Sequence, residues 1–368
     1  MTLLLDRRKL IATSSALGAA SLVSGCAATL ARPAEILPNP ACLPPVKVAS
    51  DRVIRTVAGL RPYRAQGFVV RADTLGDKRL VHNYGHGGAG ITLSWGTSRL
   101  AADLGLPGHR GPVAVLGSGV MGLSTARLVQ EAGFPVTLYT AALPPDTTSN
   151  IAGGEWSPYG HFAEDAVTPE WRAQYKAARD YSWRRFQIMV GEDYGIRWLP
   201  VYSDGGPRRA SPYRPSDRQI AAGEHPFPVG QMNRFETMFV ETGRYLRQMI
   251  RDVQMAGGKI AIRKFANLAD VATLPETLIF NCTGLGSREM LGDMELRPAR
   301  GQIAVLLPQP EIRYAYTGEH GYMFPRPDGI ILGGTFELDE WSTTPVEADI
   351  ARILKAQAEL FGGFRCLA

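Results

Sequence analysis

Two glycine-rich turns and one arginine carry the chemistry that can be read from this chain. Gly117-Ser-Gly-Val-Met-Gly122 follows the apolar run Pro112-Val-Ala-Val-Leu116 and precedes Leu123, Ala126, Val129 and Gln130 at helical spacing. That order of strand, turn and helix is what dinucleotide recognition needs: glycines permit the tight turn and a close backbone approach, and the amides opening the helix face the pyrophosphate. A second turn, Tyr84-Gly-His-Gly-Gly-Ala-Gly90, also lies between a short β-branched run and a helix-like segment. Arg61, in Gly59-Leu-Arg-Pro62, offers a planar guanidinium fork that matches a carboxylate in two hydrogen bonds. His82 and His86 flank the second turn without a set of Cys or carboxylate neighbours, so no metal site is expected.

These residues need a scaffold, and the sequence sketches one. Pro135-Val-Thr-Leu-Tyr139 is a second strand ending about twenty residues past the first turn, where a ribose-binding acid usually stands. Thr140-Ala-Ala142 stands there instead, which argues against a nicotinamide nucleotide and leaves Thr140 or backbone to meet the ribose. A Gly-x-Gly-x-x-Gly turn ordinarily opens its domain, yet here about eighty residues of patterned sequence precede it, past the N-terminal segment.

Composition narrows the class. Of 368 residues, 45% are hydrophobic and 20% charged, with 40 glycines, as in a globular α/β enzyme. Asp6-Arg-Arg-Lys-Leu-Ile11 and the small, apolar run to Val23 read as an export signal of twin-arginine type. Leu22-Val-Ser-Gly-Cys26 resembles a lipobox, with Cys26 as the lipidated residue and a plain cleavage near Ala27 or Ala28 as the alternative. Either way the destination is the periplasmic side, and any membrane attachment runs through the signal or the lipid at Cys26. Without residues 1–25, which hold three basic residues and one acidic, the balance of 40 to 35 becomes 37 to 34. That is no footprint for nucleic acid. Residues 31–50 are rich in proline and alanine and read as a tether, with structure beginning near Val53. Cys282 lies in an apolar strand and reads as an inert buried thiol, while Cys42 and Cys366 either pair or stay free.

Beyond the turn, Asp146-Thr-Thr-Ser-Asn-Ile-Ala-Gly-Gly-Glu-Trp-Ser-Pro-Tyr159 resembles the flavin-wrapping segment of the D-amino-acid oxidase and D-aspartate oxidase family. Asn281-Cys-Thr-Gly-Leu-Gly-Ser-Arg288, Arg300-Gly-Gln302, Gly333-Gly-Thr-Phe336 with Trp341, Gly59-Leu-Arg-Pro-Tyr-Arg64 and His82 to Gly96 are similar to further blocks of that family. In the family, the Leu-Arg-Pro and His-Gly-Gly blocks come last. Here they come first, and the helix expected from Val346 to Phe361 ends the chain, so the resemblance implies a circular permutation joined across Gly105 to Pro112.

The resemblance implies a Rossmann-type FAD-binding domain intertwined with an α+β substrate domain on a mixed or antiparallel sheet. The corresponding division is 1–25 signal, 26–52 tether, 53–80 permuted segment at the flavin interface, 81–160 with 266–296 FAD-binding, 161–265 with 297–345 substrate domain, and 346–368 C-terminal helix. It implies FAD held by Gly117, Ser118, Gly119, Val120, Met121 and Gly122, by Thr147, Thr148, Ser149, Ala152 and Gly153, and by Thr283 and Gly284. Gly85, His86, Gly87, Gly88, Ala89, Gly90, Ile91 and Thr92 would approach the ring, with a helix near Thr97 facing it. Arg61 falls on the family's carboxylate-binding arginine, Tyr322 on a tyrosine supporting the same carboxylate, and Gly88 near the carbonyl that takes the amine. The implied reaction is oxidative deamination of a D-amino acid, with oxygen or a quinone as acceptor.

Substrate choice is weaker in the sequence. Phe336 stands where D-aspartate oxidases carry arginine, so neutral or mildly polar D-amino acids are expected; Arg313 lies in roughly the region of a second acid-binding arginine, and Arg326 departs from the family's usual Pro-Gly at that turn. Val201 to Pro228 reads as a shortened, solvated lid region. A flavoenzyme of glycine or sarcosine type is the nearest alternative, an oxidase of acidic D-amino acids another, and a non-enzymatic flavin-binding lipoprotein the remotest.

Overall fold

The computed structural model describes residues 42–158, 161–206 and 210–365. Over these the strands are β1 (Val53–Tyr63), β2 (Val69–Leu75), β3 (Lys78–Tyr84), β4 (Val113–Leu116), β5 (Val136–Thr140), β6 (Ile196–Asp204), β7 (Arg218–Ile220), β8 (Met232–Val240), β9 (Lys259–Ile262), β10 (Leu278–Asn281), β11 (Arg297–Leu306), β12 (Ala315–Gly318), β13 (Gly321–Arg326), β14 (Gly329–Gly333) and β15 (Glu337–Leu338). No helix among the described residues is long and apolar enough to cross a membrane. The export-signal and lipobox readings fall outside the described residues.

The nucleotide layer is a six-stranded sheet in the order β2-β3-β10-β4-β5-β9, parallel throughout except for the β2–β3 hairpin. Its central strand β4 is buried at every residue, as a parallel strand covered on both faces must be. The two-residue period divides it cleanly. Val113 and Val115 pack with the helices Gly90–Gly105 and Val120–Glu131, while Ala114 and Leu116 pack against Val271, Leu274 and Met290 on the opposite face. The sequence division left β2 and β9 outside this layer; both lie in it, β9 pairing with β5 from Thr137↔Lys259 to Thr140↔Ile262. Neither strand is long or regular enough in its alternation to announce its partner.

The second layer is a nine-stranded sheet in the order β1-β11-β14-β13-β12-β6-β8-β7, with β15 also on β11; all its pairs are antiparallel except β12–β6. One face packs under the helix Glu347–Gly362, where Ile350, Ile353, Leu360 and Phe361 meet Tyr316, Ile330 and Leu332. The opposite face presents Ile303, Phe324 and Ile331, with Tyr322 against them. Three sequence expectations change here. The tether does not extend to residue 52, because Leu43 and Val46 are buried in the cluster under the last helix and Tyr314 donates to the carbonyl of Pro44. Proline-rich sequence hides such long-range anchoring because it lacks periodicity.

The second change is that Val201 to Pro228, read as solvated loop, is so only in part among its described residues: it holds the end of β6 and β7, and Tyr213, Ile220 and Phe227 are buried, with Arg179 between the rings of Tyr175 and Tyr213. The third is that the helix expected near Thr97 begins at Gly90, directly on the glycine turn. Its Gly, Thr and Ser content lowers intrinsic propensity, but packing on the helix Pro169–Ile188 compensates. Cys282 is free and buried, its thiol pushed up to about 12 by burial. Cys42 is disulfide-bonded, and Cys366, left open as paired or free, lies outside the described residues.

The contact between the two helices depends on Gly96. A Cβ there would fall 1.8 Å from the carbonyl of Ala178, and its amide donates to Ser182 Oγ at 2.8 Å. Nearby, His86 stacks on Phe68 and shares a 2.9 Å hydrogen bond with Thr97 Oγ1, while His161 packs against Gly87. Burial holds both imidazoles neutral, with pKa values of about 3 for His86 and about 4 for His161.

Gly96→Ala is expected to destabilise the fold by about 1–3 kcal/mol through overpacking, read as a lower Tm, whereas Gly362→Ala, which meets open space, stays within about 0.5 kcal/mol of the parent. The histidines predict a pH dependence. Unfolded chain protonates them near the ordinary value of 6.5 and folded chain only near 3 and 4, so stability is complete above 6.5 and falls as the pH drops below it. Unfolding free energies from denaturant titrations at pH 7.5 and 5.5 should differ by about 1–3 kcal/mol from these two groups, with the lower midpoint at pH 5.5. Equal midpoints would contradict their buried, neutral state.

Candidate active site

A cavity of about 640 Å³ lies between the two sheets, within the range of cofactor and ligand sites. At one end the chain leaves β4 into Gly117, whose φ of +102° is a glycine conformation. A Cβ on Gly117 would lie 2.6 Å from the carbonyl of Cys282, and one on Gly122 would lie 1.8 Å from the carbonyl of Gly117, so the turn cannot close with larger residues. The helix Val120–Glu131 starts there with Gly119 as its N-cap, and its first amides open toward the cavity. Val120 N donates to Ser149 Oγ at 3.0 Å, which fastens the Thr147–Ser149 segment over the turn. Asn281 accepts from the amide and hydroxyl of Thr283, which sets Thr283 and Gly284 on the cavity wall.

Past β5, Thr140-Ala-Ala142 holds no acid at the place of the missing ribose ligand, and Asp146 further along lines the cavity. Thr140 Oγ1 lies 3.0 Å from Ser118 Oγ and 2.7 Å from the carbonyl of Ala142, so its hydroxyl closes the loop rather than pointing alone into the cavity. The lining is completed by Ala141, Ala142, Arg263, Lys264 and Phe265. Arg263 is held beside Thr140 by a backbone hydrogen bond of 2.8 Å and lies over the Phe265 ring. Sequence reasoning missed Arg263, Lys264 and Phe265; the signal that could have found them was the pairing of β9 with β5.

At the other end, Gly85, His86, Gly87, Gly88, Gly90 and Ile91 line the cavity. The turn 87–89 runs straight into the helix Gly90–Gly105, so the positive end of that helix faces the cavity at this point. Gly122, Ala89 and Thr92 do not line it. Gly122 packs under Gly117, Ala89 is buried, and Thr92 ties the helix to the backbone of Ser157 in both directions, at 3.1 and 3.0 Å. Their places are behind the wall, where they fix its shape.

Arg61, Tyr322 and Gly88 converge on this end. Arg61 leaves β1 opposite Ala299, and its guanidinium lies across Gly301, where a Cβ would come within 2.2 Å of Nη1. Nη1 donates to the carbonyl of Thr335 at 3.2 Å, and the stem of Arg61 passes Gly88. Tyr322 stands on β13 against Gly333 and Gly334, at distances only glycine permits. Burial raises its pKa, with the charge of Arg61 opposing and that of Glu155 adding to the rise. Arg313 and Arg326 do not line the cavity; Arg326 is held by Asp328, the carbonyl of Ala152 and Thr242. His82 and His86 belong to separate networks, His82 with Asp73 and Asn281, His86 with Thr97.

A dinucleotide flavin fits this arrangement: a glycine cradle with a helix N-terminus for the pyrophosphate at one end, and a glycine wall with a second helix N-terminus at the other. The family model described as FAD dependent oxidoreductase matches residues 23–104 and 112–367. A D-amino-acid oxidase of Streptomyces coelicolor is 34% identical over 273 residues, covering 70% of this chain and 81% of its own. One from Dugesia ryukyuensis is 29% identical over 265 residues, covering 68% and 78%. Among solved structures, glycine oxidase from Geobacillus kaustophilus superposes with a TM-score of 0.52 at 14% identity, covering 71% of this chain and 81% of its own, a likeness of fold. The chain therefore belongs to the D-amino-acid-oxidase family of FAD-dependent oxidoreductases, with FAD as its cofactor.

Proposed function

We propose that the protein oxidatively deaminates D-amino acids, giving the 2-oxo acid, ammonia and hydrogen peroxide. The observation that carries this reading is the convergence of Arg61, Tyr322 and Gly88 on the end of the cavity opposite the dinucleotide cradle. Bound FAD supplies a two-electron acceptor for the hydride leaving Cα. Arg61 takes the substrate carboxylate, its fork steadied by Thr335 and its room guaranteed by Gly301. The Tyr322 hydroxyl, kept protonated by burial, donates to the same carboxylate. The carbonyl of Gly88 accepts from the amine, which enters neutral, so Cα is fixed at two points. The amides of the glycine turn and the start of the helix Gly90–Gly105 oppose the negative charge that builds on the ring side. Oxygen is the acceptor in this reading, and peroxide detection distinguishes it from a quinone.

Permutation of the family's order belongs to the same proposal. The family model matches in two blocks separated by residues 105–111, the stretch between the helix Gly90–Gly105 and β4. Leu43 and Val46 share an apolar cluster with Leu360 and Phe361, so chain segments near both ends lie together, away from the cavity lining. Export by a twin-arginine signal and anchoring at Cys26 are proposed from the sequence of residues 6–26.

Purified protein is expected to carry a flavin absorbance that bleaches without air on addition of D-alanine and not of L-alanine; an unbleached spectrum with every D-amino acid would overturn the assignment. Arg61→Ala should retain the flavin and lower kcat/KM by about 2–4 kcal/mol, with a raised KM. Tyr322→Phe should cost about 0.5–1.5 kcal/mol by the same measure, because it removes one hydrogen bond and no charge.

A further inference from the structure

Arg61 and Arg64 lie over two glycines of the second turn. A Cβ on Gly88 would stand 3.6 Å from Cδ of Arg61, and one on Gly85 would stand 2.9 Å from Cδ of Arg64, so the two stems cross the turn at matched spacing. Their heads go different ways. Arg61 turns its fork to the cavity, whereas Arg64, just past the end of β1, gives its fork to Asp293: Nε donates at 3.0 Å to one carboxylate oxygen and Nη2 at 3.2 Å to the other. The hydroxyl of Tyr84 donates to the same carboxylate at 2.8 Å. Burial works against the charge on Asp293, yet the hydrogen bonds from Arg64 and Tyr84 and the Arg64 charge hold its carboxyl below the ordinary range.

The three partners come from three places. Arg64 follows β1, Tyr84 ends β3 and leads into the glycine turn, and Asp293 stands between the helix Gly286–Leu291 and β11. The Tyr84 ring packs with Val69 and Leu296, and the side chains of Arg64 and Asp293 are only 15% and 13% exposed. Neither Arg64 nor Asp293 lines the cavity, so any influence they have on the reaction passes through what they hold in place. On the reading that Arg61 takes the carboxylate of a D-amino acid and the carbonyl of Gly88 its amine, those two groups belong to different layers, one to β1 and one to the turn after β3. Their separation depends on where β1 sits along the turn. Glycines offer no side chain to lock into, but a bidentate ion pair has fixed directions. We propose that Arg64 and Asp293 are positioning residues: their ion pair, joined by Tyr84, fixes β1 on the glycine turn and so sets the distance between the Arg61 fork and the Gly88 carbonyl. A misplacement of about 1 Å at such a point costs on the order of a hundredfold in rate.

The test is a double-mutant cycle on the holoenzyme, with kcat/KM for D-alanine, flavin absorbance and Tm measured in the parent, Arg64→Lys, Arg61→Ala and the two combined. Lysine keeps the charge beside Asp293 and gives up the fork. Arg64→Lys should retain its flavin and lower kcat/KM by about tenfold or more, with kcat falling as well as KM rising. In the Arg61→Ala background the same substitution should cost less than about twofold, because the group it positions is gone. A merely structural contact would cost the same in both backgrounds. If Arg64→Lys does not fold, Arg64→Met together with Asp293→Leu gives the same comparison, since buried ion pairs tolerate replacement by apolar side chains of similar volume. Parent-like kcat/KM without the ion pair, or equal losses in both backgrounds, overturns the positioning role while leaving D-amino-acid oxidation intact. Absence of flavin reduction by any D-amino acid in the parent overturns the reading on which it rests.

Discussion

A half-buried guanidinium lying flat on bare backbone is the constraint from which the site follows. Arg61 reaches the cavity only because Gly301 has no side chain, and it keeps its direction because Thr335 accepts from Nη1 and Gly88 leaves room for its stem. Each of those positions belongs to a different element. β1 must pair with β11 in the register that sets Arg61 opposite Ala299, and the chain after β14 must return past Gly333 and Gly334. The glycine turn after β3 must press against β1 from the nucleotide layer. Thr335 satisfies one of the donors of Arg61, and the rest of the fork faces the cavity, where a carboxylate fits the role proposed for it.

The cavity joins two helix N-termini of the same sign. Val120 opens one helix at the cradle and Gly90 opens another at the far wall, and each carries amides toward a place where a bound dinucleotide flavin brings or develops negative charge. The nucleotide sheet supplies both, since β3 and β4 flank β10 in parallel and deliver their following turns to one edge. This explains why the order of the two turns along the chain matters little to the site. What matters is that both strands point the same way.

Much of this was legible in the sequence because glycine leaves a distinct signature where backbone must approach closely. The Gly117–Gly122 turn, the Gly85–Gly90 turn, Arg61 and Tyr322 could be named, and the structure brings them to one cavity. What could not be read depended on distant pairing. Arg263, Lys264 and Phe265 enter the site because β9 pairs with β5, and nothing local marks that. Leu43 and Val46 looked like tether because two apolar residues in proline-rich sequence have no period, yet the last helix covers them. The start of the helix at Gly90 was misplaced because Gly and Ser suppress propensity where packing decides. Glu155 was visible in the sequence, but only its alternation with the buried Trp156 assigns it to the cavity side.

If one flavin site spans both glycine turns and presents Arg61 to a substrate carboxylate beside the ring, a bound amino acid must be readable in the flavin spectrum. Titration of the holoenzyme with 2-aminoisobutyrate, an amino acid lacking the Cα hydrogen that the reaction removes, tests it without turnover. A saturable shift of the flavin spectrum, lost in Arg61→Ala, is expected. A shift of equal size and affinity in that variant, or none in the parent, would contradict it.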